Sequence, residues 1–127
     1  MAAVAEKPAI RPEERAVLTE AVLRAADKLG VRASVLAPVL GVSEATISRM
    51  KNGDYRLEAD TKPFELGVMF VRLFRSLDAI AGGDEAVARA WLANPNLALG
   101  GKPVEKIRNV AGFVDVIAYL DARRAQV

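Results

Sequence analysis

Apolar residues recur at helical spacing along most of the chain. Leu18, Val22, Ala25 and Leu29 fall three or four apart, which places them on one face of an α-helix. Pro12-Glu13-Glu14 precedes them. Proline fits a first helical turn and acids favour the positive end of the helix dipole. The spacing therefore predicts a helix from about residue 12 that stops at Gly30. Residues 32 to 40 make a second, short helix with Val35, Leu36, Val39 and Leu40 apolar. Pro38 lacks a backbone donor and should kink or shorten it. Ile47 and Met50, three apart, mark a third helix that starts after Ser43 and ends at Asn52-Gly53.

The polar run DYRLEAD then reads as a loop. Thr61 caps the next helix, with Pro63 in its first turn. That helix runs to about Ala81 and carries two apolar stripes. One is Leu66, Phe70, Leu73, Leu77 and Ile80; the other is Phe64, Val68 and Val71. Periodicity leaves two readings open: core on both sides, or core on one side and a partner subunit on the other. Gly82-Gly83 ends the helix, and Asp84 caps another that carries Val87, Ala88 and the sole tryptophan, Trp91. NPNLALGGKP, residues 94 to 103, is a loop rich in turn formers. Pro103 opens a further helix with Val104 and Ile107 inward, Gly112 punctuates, and Phe113, Val116, Ile117 and Leu120 form a last stripe.

No alternating strand pattern occurs. The expected fold is all-α: an N-terminal helix-turn-helix lobe and a C-terminal helical lobe, divided near residue 60. Residues 1–11 read as a mobile tail, 12–60 as the first lobe and 61–127 as the second.

Composition narrows the function. The chain is 52% hydrophobic, enough for a core, but only 6% aromatic, so that core is mostly aliphatic. It contains no cysteine, which excludes disulfides and thiolate metal sites. It contains no histidine, which removes the usual general base and the commonest transition-metal ligand. Neither an enzyme nor a cofactor is expected. No apolar run reaches membrane-spanning length, and the first residues lack the pattern of a signal peptide. A cytoplasmic protein is expected.

The stretch LGVSEATISRMKNG, residues 40 to 53, bears most directly on function. Gly41 stands where a helix-turn-helix needs positive φ, Val42 plugs the turn, and Ser43 suits an N-cap. Ile47 and Met50 would pack on Ala37 and Leu40. The other face holds Glu44, Ala45, Ser48 and Arg49, with Thr46 at its margin. This is the layout of a recognition helix whose first turns address base edges. An Arg49 fork suits guanine O6/N7, Glu44 suits a cytosine amino group, and the Ala45 and Thr46 methyls suit a thymine methyl. Ser43 and Lys51 suit phosphates, which fix register without reading sequence. The counter-reading is a packing unit that touches no DNA. Net charge is +2, and the first sixty residues hold nine basic and nine acidic side chains. With so little steering charge, a monomer would bind weakly. A dimer reaching two half-sites ~34 Å apart is expected.

LAPVLGVSEATISRMKNG resembles the helix-turn-helix of Xre-type regulators. Trp91-Leu92, Asn94-Pro95, Leu99-Gly100-Gly101-Lys102-Pro103, Gly112 and the apolar run to Leu120 resemble the C-terminal toxin-binding domain of Xre/MbcA/ParS antitoxins. Such antitoxins pair with a RES-domain toxin that consumes NAD⁺ or transfers ADP-ribose from it. They also bind their own promoter and usually dimerise. The resemblance places DNA contacts on Ser43, Glu44, Ala45, Thr46 and Arg49. It places toxin contacts on Asn94, Leu97, Leu99, Gly100 and Lys102 of the loop and on Arg123 and Arg124 of the last helix. Many regulators of this type carry a glutamine in the first helix of the motif; residues 32 to 40 have none.

Structural readings of the same residues stay open. Arg123 and Arg124 suit a solvated helix C-terminus, Trp91 suits core filling, and the loop glycines suit plain turns. The alternative function is a free-standing helix-turn-helix regulator without a toxin partner.

Overall fold

The computed structural model describes residues 12–125. The expected N-terminal tail, residues 1–11, lies outside that range. Seven helices follow in order among the described residues: α1 (Pro12–Leu29), α2 (Ala33–Leu40), α3 (Glu44–Lys51), α4 (Lys62–Ile80), α5 (Glu85–Ala93), α6 (Pro103–Lys106) and α7 (Val110–Arg124). No strand occurs among them; the sole β-type pairing is an isolated bridge between Asn96 and Gly101. The all-α expectation holds.

Most helix starts obey local chemistry. Ser43, Thr61, Asp84 and Asn109 each accept a backbone N–H with a side-chain oxygen, so orphan donors at the heads of α3, α4, α5 and α7 are satisfied. α1 and α2 stop at glycines in the left-handed region, Gly30 at φ 67° and Gly41 at φ 70°. Pro38 is exposed within α2, and the eight-residue helix ends two residues after it.

The long helix α4 is the axis of the molecule. It packs on α1, α2 and α7. Its first stripe is buried as expected at Phe70, Leu73 and Leu77. The core is continuous from Val22 and Leu40 through Leu73 to Phe113 and Leu120. Gly67 lets α4 approach α1 closely: a Cβ there would lie 3.1 Å from Leu57 and 3.3 Å from Val22. Arg89 fastens α5 to the end of α1, donating to the Lys28 carbonyl at 2.8 Å and the Asp27 carbonyl at 2.9 Å. Those carbonyls sit in the last turn of α1, where a guanidinium also complements the dipole.

The second stripe of α4, for which two readings were open, is only partly covered: Val68 is exposed, and Phe64 and Val71 are half-buried. One expectation needs correction. Gly112 does not punctuate. It lies inside α7, where its N–H donates to the Asn109 cap at 2.9 Å. A Cβ at Gly112 would stand 2.1 Å from the Lys106 carbonyl oxygen, so the residue is small because α6 presses on it.

Candidate nucleic-acid interface and partner surface

The helix-turn-helix forms as the residue types dictate. The Gly41 N–H reaches the Pro38 carbonyl at 3.3 Å and the Val42 N–H reaches the Ala37 carbonyl at 3.0 Å, closing α2 as a left-handed glycine permits. Ile47 and Met50 are buried and hold α3 against α2. Glu44, Ala45, Ser48, Arg49 and Lys51 are exposed together. Thr46 departs from its expected place at the margin: it is only 9% exposed.

Thr46 instead sits in a short polar relay. The Ser43 hydroxyl accepts the Thr46 N–H at 3.1 Å and lies 3.0 Å from the Thr46 hydroxyl. Arg49 donates from Nη2 to the same Thr46 hydroxyl at 3.1 Å. The Arg49 guanidinium also lies over the Tyr55 ring, 5.7 Å from its centroid. A bare arginine on a surface helix would sample many rotamers; this one is held by a hydroxyl and a ring face.

Sequence reasoning missed Tyr55 because it falls in a segment read only as a polar loop. The loop is tied down by two residues distant in sequence. Leu57 is fully buried, and its N–H donates at 3.0 Å to the Thr19 hydroxyl, which itself donates at 2.8 Å to the Arg15 carbonyl within α1. Leu57 within DYRLEAD was the available signal, a lone apolar residue in a polar run.

The second candidate surface lies around residues 94 to 103. The Asn96 N–H donates to the Gly101 carbonyl at 2.9 Å, and the Asn96 side chain accepts the Leu99 N–H at 3.1 Å. Gly100 takes φ 75° to close this turn. Leu99 is half-buried and packs on the core, whereas Leu97 at the tip is fully exposed. Asn94 and Lys102 are exposed at the two ends of the loop, and Lys102 precedes α6 as its N-cap.

Trp91, Asn94 and Asn96 line a shallow hollow at the loop's base. Trp91 is half-buried and stacks on Tyr119, centroids 6.1 Å apart, and Arg123 lies over the Tyr119 ring at 5.9 Å. Arg123 therefore joins the loop through two aromatic rings. Arg124 does not. It donates to the Ser76 hydroxyl at 3.4 Å and lines a groove between α1 and α4. No described helix is long and apolar enough to cross a membrane.

A helix-turn-helix is thus joined through one core to a second helical surface. A family model described as the antitoxin Xre-like helix-turn-helix domain matches residues 8–72, more than half of the chain. The chain belongs to that antitoxin family. The Xre/MbcA/ParS C-terminal toxin-binding domain matches residues 76–125. No curated protein matches the chain.

Proposed function

We propose that this protein is a binding protein, not an enzyme, that neutralises a RES-domain toxin and represses its own operon. The toxin would consume NAD⁺ or transfer ADP-ribose from it. The observation that carries the reading is one continuous core holding a helix-turn-helix at one end and a toxin-binding-family surface at the other.

In this reading α3 enters the major groove. Arg49, held by Thr46 and Tyr55, reads a guanine edge, and Glu44 and Ala45 contribute neighbouring contacts. Ser43 and Lys51 meet phosphates. Thr46 acts through Arg49 and makes no base contact of its own. The toxin is met by the loop from Asn94 to Lys102, with Leu97 as its apolar anchor and Gly100 shaping the turn. Leu99 supports that loop from below. Arg123 extends the surface. Arg124, which faces the α1–α4 groove, is less suited to it. The working unit is a cytoplasmic homodimer that presents two copies of α3 to promoter DNA.

The test is co-purification with the product of the adjacent gene, followed by light scattering and an NAD⁺ assay with and without this chain. A stable complex that suppresses NAD⁺ loss supports the antitoxin reading. A chain that shifts promoter DNA but forms no complex would replace it with a free-standing regulator.

A further inference from the structure

The second stripe of α4 is only partly covered among the described residues. Phe64, Val68 and Val71 line a groove of about 790 Å³ together with Val17 and Leu18 of α1. Val17 is 64% exposed and Val68 48% exposed. A contiguous apolar strip of this kind marks an interaction surface more often than a bare face.

The charges around the groove are ordered along it. Helices α1 and α4 run side by side in the same direction. Gly67 lies against Leu18 and Val22, and one to two turns later the Lys28 ammonium sits over the Phe74 ring. Glu13 and Glu14, at the start of α1, therefore mark one end, and Arg72, Arg75 and Arg124 mark the other. Arg72 pairs with Asp121 and Arg124 reaches Ser76. The side chains of Arg75 and Glu13 make no hydrogen bond or ion pair among the described residues.

We infer that this groove is where a second copy of the chain docks, two-fold related, with the acidic end of each copy on the basic end of the other. A two-fold axis through the middle of the strip matches Glu13 to Arg75 twice and buries the two valine-rich strips against each other. This is a self-complementary pattern, which an unrelated partner would have no reason to require. The inference rests on the dimer of the proposed function and locates its interface.

The full chain is measured by sedimentation equilibrium in low salt. Glu13→Arg alone and Arg75→Glu alone should each weaken self-association by about tenfold or more, because each places like charges together twice. An equimolar mixture of the two variants should recover wild-type association. In the mixed pair the new arginine faces the new glutamate and the original pair faces itself. Damage to the fold could not be rescued by mixing.

Wild-type dimerisation by both single variants would overturn the placement and leave the dimer intact at another surface. A wild-type chain that stays monomeric at every concentration, with toxin and promoter still bound, would remove the dimer itself. If the full chain is monomeric and a chain lacking residues 1–11 dimerises, those residues occupy the groove and the inference fails.

Discussion

Each half of the chain has a glycine close to a helix junction, and the two glycines are there for different reasons. Gly41, between α2 and α3, adopts φ 70°, and a Cβ there would meet only Leu66 at 3.8 Å, an ordinary contact. Its requirement is torsional. Gly112, in the first turn of α7, has helical backbone, but a Cβ would collide with the Lys106 carbonyl. Its requirement is space. The N-terminal junction is thus an open turn that leaves α3 facing outward. The C-terminal junction is a compressed corner in which a four-residue helix, α6, is wedged onto α7.

The largest prediction follows from that corner. Gly112→Ala should destabilise the protein by about 3 kcal/mol, the upper end of overpacking, because backbone rather than a flexible side chain must move. Urea unfolding checks it. A loss below about 0.5 kcal/mol, the scale of an ordinary surface change, would mean that α6 shifts freely and the corner is not compressed.

Arg49→Ala should do the reverse: little change in unfolding midpoint, but a loss of about 1–3 kcal/mol in specific promoter binding. Titration against operator and scrambled duplex separates these. Equal weakening on both duplexes would reassign Arg49 from a base to a phosphate.

Gly41→Val should cost about 1–2 kcal/mol or more of stability, since a β-branched residue resists the left-handed region. Gly41→Asn should cost less, because asparagine tolerates it. At a temperature where the variant stays folded, promoter binding should fall and toxin binding persist. Parallel loss of both activities would show that the continuous core transmits strain from one junction to the other surface.

In the C-terminal half, Leu97→Ser should leave the fold unchanged, since the side chain touches solvent only. It should weaken the toxin complex by about 1–2 kcal/mol if Leu97 fills a pocket on the partner. A complex of unaltered stability would move the anchor elsewhere on the loop.

The fold was legible where local rules govern it. The caps at Ser43, Thr61 and Asp84, the glycine stops at Gly30 and Gly41, and the buried stripe of α4 are each written in neighbouring residues. Where distant residues decide, the sequence was silent or misleading. Gly112 looks like a turn former until α6 is seen against it. Periodicity leaves the second stripe of α4 open between core and partner surface; only the packing of its neighbours shows that Val68 stays exposed. At the candidate DNA interface, α3 itself was readable, but the support of Arg49 was not. Thr46 is buried because of how α3 sits on its neighbours. Tyr55 reaches Arg49 because a hydrogen bond across 38 residues, from Leu57 to Thr19, fixes the loop that carries it.

That support gives the smallest effect. If the ring holds Arg49 in place for a base, Tyr55→Leu should lower specific promoter binding by about 0.5–1 kcal/mol, the worth of an exposed cation–π contact. Tyr55→Phe keeps the ring face and should bind as the wild type does. Neither change removes a cation, so the slope of log affinity against log salt should stay constant in both. A flatter slope in the leucine variant would mean that Arg49 had swung away from a phosphate. Phenylalanine weakening binding as much as leucine would point to the tyrosine hydroxyl as a direct contact to DNA. The ring would then not be what orders Arg49, and the N-terminal surface would rest on the Ser43–Thr46 relay alone.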